Sequence, residues 1–248
     1  MLTHNMAGLL LARSSLSDAT EFVIRSASEN SGPKAVHLLT AHSISLCESD
    51  PALRQVFSSG DLLLPDSRWL QFFSGGMRPK LTQVRGPDLF RQTLAKSQNS
   101  EIQHFFVGPS DFVNHELEAT LKKEFPALTV SGFAVGPYPP ITAESISLLV
   151  KEIHTRGRPI VWVGVGTPTQ NFLTHEIARS TGLVVIAVGA AFEFLTKLKP
   201  EAPKWLSNLG FEWAFRLVSE PRRLWKRYLI GNFLFVFSIL QHRLIYRR

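Results

Sequence analysis

One cysteine, Cys47, stands in a chain of 248 residues, so no disulfide can form within it. Stability must come from packing, as is usual in a reducing compartment. No long hydrophobic run is present either. The apolar stretch at residues 7–12 has no basic residue before it. It is too short for a signal-peptide core and far too short to span a bilayer. There is no long run of like charge, no low-complexity tract and no repeat of fixed period, which argues against a disordered chain or a solenoid. His-Glu-x-x-His, paired cysteines, Asp-x-Asp and the serine-hydrolase Gly-x-Ser-x-Gly are all missing. No metal site or hydrolase site is therefore recognisable, and no cofactor is expected.

The chain is 44% hydrophobic and long enough for one large α/β domain, with or without an appendage. Its net charge of +7 is unevenly spread. From Lys197 to Arg248 there are eleven Lys or Arg against three acids, whereas residues 1–196 hold sixteen bases and seventeen acids. A nearly neutral body with a basic, aromatic tail calls for an anionic partner at the tail: a membrane surface, a nucleic acid or a diphosphate.

Through residue 196, short apolar runs alternate with amphipathic segments of helical length. The runs are 35–40, 61–65, 103–108, 128–133, 159–164 and 183–189. The helical patterns are 43–56, 87–96, 112–124, 143–155 and 169–180, with a further one at 16–27 that Ser15 or Ser17 caps. This alternation predicts a Rossmann-like α/β fold: a largely parallel sheet with helices on both faces. After Gly189 no strand run remains. Pro200, Pro203 and Pro221 divide the rest into helical pieces, the last running from about Glu220 toward Tyr246. The expected organisation is a catalytic domain at 1–199 and a helical C-terminal appendage at 200–248.

Ligands of such sheets sit outside the carboxyl ends of the strands. Polar and glycine-rich segments recur there, around Thr40, His42, Asp66, Gly108, Gly166 and Gly189. Asp66 follows a strand run and precedes a helix-like segment. It is either a helix N-cap or a general base that takes a proton from an attacking hydroxyl. Gly164-Val-Gly166-Thr-Pro-Thr169 starts like a dinucleotide fingerprint but has Thr169 at the third glycine, which weighs against an NAD-dependent enzyme. Such glycines still let backbone amides approach a phosphate at a helix end. The same segment reads as a capping box, with Thr167 as cap, Pro168 first in the helix and Gln170 reaching back. Arg85 is either solvated or pairs with a diphosphate. His42 is either an ordinary hydrogen-bonded residue or a site residue.

In the tail, Arg222, Arg223, Lys226 and Arg227 fall within an arc of about 140° on a helical wheel. Leu224, Trp225 and Tyr228 lie largely on the other side. An apolar run at 230–240 follows. Two readings stand side by side: a helix lying in the interface of an anionic membrane, or aromatics packed on the body with arginines as a solvated rim.

Read together, the motifs resemble the WecG/TagA/CpsF family of bacterial glycosyltransferases over about residues 40–235. Phe106-Val-Gly108-Pro, Val161-Trp-Val-Gly-Val-Gly166-Thr-Pro-Thr-Gln170, Val188-Gly189-Ala-Ala-Phe192-Glu193, Glu212-Trp213 and Glu220-Pro221-Arg-Arg-Leu-Trp-Lys-Arg227-Tyr228 follow in the family's order. Pro65-Asp66 and Arg85-Gly86-Pro-Asp88-Leu89 match its N-terminal half. The resemblance implies an inverting, metal-independent transferase. It would move a hexose or N-acetylhexosamine, N-acetylmannosamine among them, from a UDP-sugar to an acceptor linked to undecaprenyl diphosphate in cell-surface polysaccharide synthesis. It implies a cytoplasmic enzyme, peripheral on the inner face of the plasma membrane. Asp66 then matches the general base. Thr40, His42, Arg85, Gly108, Gly166, Gln170 and Glu193 fall on the donor side. Arg216, Arg222, Arg223 and Arg227 match the part that meets the acceptor, its diphosphate and the membrane.

The chain departs from the family at His42, Asn171, Glu193, Thr196-Lys197 and Glu201, where Asn, Glu, Asp, Ala-Gly and Arg are usual. The sugar is therefore open, and a catalytically inactive, membrane-associated scaffold is an alternative. A nucleic-acid-binding protein using the basic tail is another, although the tail carries no recognition motif and nucleic acid is not expected as a partner. A homo-oligomer is compatible with the pattern.

Overall fold

The computed structural model describes residues 1–75, 78, 80–137, 141–226, 228 and 231–245. Six strands form one sheet: β3 (Lys34–Leu39), β4 (Leu62–Pro65), β5 (Gln103–Gly108), β6 (Thr129–Val135), β7 (Ile160–Val163) and β8 (Val184–Ala187). Their order is β4-β3-β8-β7-β5-β6, and every neighbouring pair is parallel. All six predicted runs are therefore strands, in a sheet that is wholly parallel. Ahead of it, β1 (Thr3–Met6) and β2 (Leu9–Ala12) make a separate antiparallel hairpin. The sequence reading gave residues 7–12 no secondary structure. The turn is Ala7-Gly8, both with positive φ (51° and 84°), and an alanine is an unusual occupant of such a position. The Asn5 side chain closes the turn by accepting from the Gly8 amide.

Alternation along the strands sends residues to two faces. Val36, Leu38, Phe106, Trp162 and Ile186 point one way. They are covered by α1 (Leu16–Ser28), α5 (Gly86–Ser97), α6 (Asp111–Glu124) and α9 (Ala191–Leu195). Ala35, Phe105, Val107, Val161 and Val185 point the other way, against α7 (Ala143–His154) and α8 (Thr169–Thr181). A third cluster joins the hairpin's Leu9 and Leu11 to Leu39 and Leu63. It also takes in residues of α2 (Ala41–Leu46), α3 (Pro51–Ser58), α4 (Arg68–Phe73) and the C-terminal helix.

Local chemistry sets the helix ends. Ser15 caps α1 in a reciprocal box with Asp18. The single helix expected over 43–56 is broken in two. Pro51 disfavours helical geometry at the residue before it, and the Asp50 carboxylate restarts the chain by accepting from the Leu53 amide at 2.9 Å. The tail holds α10 (Lys204–Asn208), α11 (Glu212–Ser219), α12 (Pro221–Trp225) and α13 (Gly231–Ile245). The last predicted piece is thus at least two helices, with residues 227, 229 and 230 outside the described set. Phe235 and Ile239 of α13 are buried in the third cluster, while Phe233, Phe237 and Leu240 stay exposed at 74%, 53% and 52%. One side of this run is packed on the body and the other is exposed.

Two histidines are fully buried in the sheet. In one, the Trp162 indole donates to His104 Nδ1 at 2.9 Å, and the His104 ring, protonated on Nε2, then donates to Ser97 Oγ at 2.8 Å. Burial lowers the pKa of His104 from 6.5 to about 3. Burial, helped by the neighbouring His175, does the same to His37. In the unfolded chain both rings bind protons near 6.5, so their share of stability is complete above that pH and is lost as pH falls from there toward 3. Unfolding free energy from urea titrations is expected to fall between about pH 7 and pH 5, with a slope of up to ~1.4 kcal/mol per pH unit for each histidine. A flat profile over that interval contradicts the buried neutral state.

Candidate functional site

The carboxyl ends of β3, β4, β7 and β8 open onto a cleft of about 520 Å³. Each strand delivers one short segment to it. After β3 comes Thr40, N-cap of α2, whose hydroxyl is tied into a box with Ser43. After β4 comes Asp66. After β7 come Gly164 and Gly166, and after β8 comes Gly189. Gly166 (φ 90°) and Gly189 (φ 61°) hold a left-handed backbone that suits glycine. A Cβ at Gly164 would stand 2.9 Å from the Phe192 ring, so that loop lies as close to α9 as a glycine allows.

Gln170 joins the two glycine loops. Its side-chain oxygen accepts from the Gly166 and Gly189 amides, each at 3.1 Å. The expected capping box is therefore not formed. Helix α8 starts one residue later, at Thr169, with Pro168 as its cap residue, and Gln170 bonds to loops rather than to the cap's own amide. The amino end of α8 faces the cleft beside Glu193 and Lys199, which pair at 2.6 Å.

Asp66 is partly buried and is not the cap of its own helix, because α4 has Ser67 in that position. Its amide donates to Leu39 O at 2.7 Å, and its carboxylate accepts from the Gly86 amide at 2.9 Å. It thus caps a remote helix, α5, and remains at the cleft. Burial pushes the Asp66 carboxyl up to about 6. The nearby Glu212 carboxylate pushes in the same direction, and the Gly86 amide, Arg85 and Arg216 pull against them. A carboxylate with a pKa near 6 is suited to accept a proton at neutral pH.

A second, smaller cavity of about 60 Å³ lies beside Asp66, against the tail. Thr40, Asp66, Glu212 and Arg216 line both spaces. Glu212 comes from α11, as does Arg216, whose guanidinium sits 5.5 Å from the centre of the Phe194 ring. Tail and body are joined here by Arg85. Its guanidinium meets Glu201 at 2.9 Å, Glu212 at 3.0 Å and Asp88 at 3.4 Å. Burial works to lower the pKa of Arg85, but Glu212, Asp88 and Glu201 together raise it above its ordinary value.

The structure brings Thr40, Gly166, Gln170, Glu193 and Arg216 into the cleft with Asp66. His42 lines the smaller cavity only. Arg85 lines neither: its charge is met by acids, and it borders a separate surface hollow with Asp88, Arg91 and Lys204. Gly108 lines neither as well, because its Cα faces the Asn114 side chain. Arg222 is exposed on α12 away from both spaces. The Arg223 side chain and the whole of Arg227 lie outside the described residues. Glu212, Trp213 and Lys199 were not singled out as site residues from sequence. The only sign was the Glu212-Trp213 pair among the motifs in the tail. Among the described residues, no group of three or more His, Cys, Asp or Glu is placed to hold a metal ion.

A parallel α/β sheet whose carboxyl edge offers the amino end of a helix, two cations and a carboxylate of raised pKa has the parts of a group-transfer enzyme that handles an anionic leaving group. Comparison with known proteins agrees with that class. The family model for the glycosyl transferase WecG/TagA/CpsF family matches residues 4–248, and the chain belongs to this family. It is similar to an N-acetylglucosaminyldiphosphoundecaprenol N-acetyl-beta-D-mannosaminyltransferase of Bacillus spizizenii, 27% identical over 195 residues, which cover 78% of this chain and 73% of the relative. A protein of the same name from Bacillus subtilis is 26% identical over 176 residues, 70% of this chain and 66% of that one.

Replacing Gln170 by Leu leaves two loop amides without their acceptor and should cost about 1–3 kcal/mol. Calorimetric melting checks this, and a Gln170→Leu protein with unchanged melting contradicts the clip.

Proposed function

We propose that the protein transfers a sugar, with inversion, from a UDP-sugar to an acceptor linked to a polyprenyl diphosphate. An N-acetylhexosamine is the favoured donor sugar, since both relatives are named as N-acetylmannosaminyltransferases acting on an undecaprenyl-diphosphate acceptor. Residues 1–199 serve as the catalytic body and residues 200–248 as an appendage that meets the membrane. The observation that carries the reading is Asp66. A carboxyl with a pKa near 6 stands where the larger cleft and the smaller cavity meet.

The chemistry follows from that position. The nucleotide diphosphate lies in the larger cleft, at the amino end of α8 and near Lys199 and Arg216. The acceptor approaches from the side of the tail. The ionised Asp66 takes the proton of the acceptor hydroxyl as the hydroxyl oxygen bonds to the sugar's anomeric carbon. The bond from that carbon to the diphosphate breaks on the opposite face. Charge gathering on the departing UDP is met by Arg216, Lys199 and the amino end of α8, without a divalent ion. Arg222 and Lys226, with Arg223 and Arg227, give the appendage its attraction for anionic lipid. Phe233, Phe237 and Leu240 supply its apolar contact. Among the described residues no helix is long and apolar enough to cross a membrane.

UDP release from a panel of UDP-sugars, with a short-chain lipid-diphosphate acceptor, tests the reading. Acceptor-dependent release that persists in EDTA is the expected result; loss of all release in EDTA would remove the metal-free part. Asp66→Asn should lower kcat by about 10²–10⁴-fold and retain UDP binding. The same substitution should raise the melting temperature above pH 7, because it removes a carboxylate whose ionised form is disfavoured by burial. Near-normal turnover of this variant sinks the base assignment.

The pH dependence provides an independent check. The base must be ionised, so kcat/KM should decline below about pH 6, by about tenfold per unit. An acid limb set near the ordinary carboxylate value of 3.8 argues against Asp66 as the titrating group.

A further inference from the structure

One residue connects the smaller cavity beside Asp66 with the surface. Ser207 lines that cavity and also lines the surface hollow formed with Asp88, Arg91 and Lys204. The residue is only 5% exposed, and its hydroxyl has no hydrogen-bond partner. Two more groups on the cavity wall are buried and unpartnered, Ser67 Oγ and Trp213 Nε1. Ser67 holds the N-cap position of α4 but makes no capping bond, so its hydroxyl is left for the cavity. A native protein seldom leaves such groups unpaired, and several around one space imply a polar occupant. The space measures about 60 Å³. A water takes about 30 Å³ in the liquid, so there is room for about two.

We propose that this cavity is a water-filled exit for the proton that Asp66 collects, with Ser207 as the relay to the surface. The inference rests on the transferase reading above. It makes Ser67, Ser207 and Trp213 positioning residues, since none of them forms or breaks a bond at the sugar. With donor and acceptor in place, Asp66 receives the acceptor's proton on a side that the substrates shield from bulk water. While the proton stays, the carboxyl can return it to the new glycosidic oxygen and reverse the transfer. Its departure commits the product. An indole N–H only donates, so Trp213 occupies one lone pair of the water beside it. The second lone pair of that water accepts from the protonated Asp66, and both its hydrogens are then turned toward the serines. The water hands on one of its own protons as it takes one. A serine hydroxyl accepts and donates in the same way, and water in the hollow delivers the proton to a buffer base. Asp66 ends as a carboxylate, each relay group ends neutral, and one proton has left. Glu212 borders the cavity too, but Arg85 holds both of its oxygens, at 3.0 and 3.3 Å, so the neutral hydroxyl of Ser207 is the better carrier.

Ser207→Thr and Ser207→Val test the relay, because the two side chains share one shape and only threonine keeps a hydroxyl. With the donor and short-chain acceptor that the wild type turns over, kcat of Ser207→Val should lie about tenfold below that of Ser207→Thr. KM for both substrates should agree between the two variants. Imidazole, a small buffer base, should restore part of the kcat lost in Ser207→Val, and the solvent deuterium effect on kcat should exceed that of the wild type. Equal kcat in the two variants overturns the proposal, as does a loss that appears in KM or that does not respond to imidazole. If melting shows that neither variant folds, Trp213→Phe decides, because it keeps the ring and removes the N–H. It should lower kcat about threefold at unchanged KM, and an unchanged kcat overturns the proposal. Each of these failures leaves the transferase reading intact, whereas a wild type that turns over no donor removes both.

Discussion

Arg85 is the interaction on which the rest of the site depends. Its side chain is 11% exposed, and its charge is met by Asp88 on its own helix and by Glu201 and Glu212 from the tail. Arg91 reinforces the group by pairing with Glu201 at 2.7 Å. Pairs of this kind add little net stability, because desolvation offsets attraction, but breaking one partner leaves the others stranded at a cost of about 3–5 kcal/mol. The cluster therefore acts as a geometric constraint. Two arginines and three acids hold the start of α11 against the start of α5. That is where Gly86 donates to Asp66 and where Glu212 and Arg216 reach the cleft. Without the tail, Asp66 would lose the Glu212 carboxylate that helps raise its pKa and the Arg216 guanidinium that opposes it.

The same geometry explains why Asp66 carries a stability cost. A carboxylate bonded to one amide and otherwise drawn out of water prefers to be neutral, and Glu212 strengthens that preference. Arg85 could have cancelled the effect, but its guanidinium is already shared among three acids. The protein thus keeps a strong cation close to Asp66 without letting it form a tight ion pair. The result is a carboxyl with a pKa near 6 rather than an ordinary carboxylate. Carboxyls held in this condition cluster at working sites, and structural ion-pair networks produce them as well.

The layout of the sheet was legible because its signal is local. Parallel strands buried on both faces read as short apolar runs, and all six were found with ends within a few residues. The hairpin was missed because Ala7-Gly8 is a weak turn signal and each strand has only four residues. The break at Asp50-Pro51 was visible as a proline but was overridden by a continuous apolar pattern. Site residues following strands, such as Thr40, Asp66, Gly166 and Gln170, could be placed from the rule that ligands meet carboxyl ends. The roles of Arg85 and Gln170 could not. Arg85 is drawn off by acids 116 and 127 positions away, at Glu201 and Glu212. Gln170 bonds across to Gly189 in the loop after the next strand. Nothing in local sequence separates a guanidinium awaiting a phosphate from one already satisfied by carboxylates that arrive later in the chain.

Helix α13 shows how one pattern served two surfaces. With 3.6 residues per turn, Gly231, Phe235, Ser238 and Ile239 share the inward side, and Phe233, Phe237 and Leu240 share the outward one. A helix that is apolar nearly all round is normally buried all round, and this one is not. The inward side packs on α2, where a Cβ on Gly231 would stand 3.0 Å from His42, and α2 begins at Thr40 on the wall of the cleft. The outward side is an apolar stripe in a region that also carries the exposed Arg222 and Lys226. The element proposed to meet lipid is therefore the element that packs behind Thr40. An acceptor arriving from a membrane under α13 would enter beside Asp66 without having to cross the nucleotide cleft.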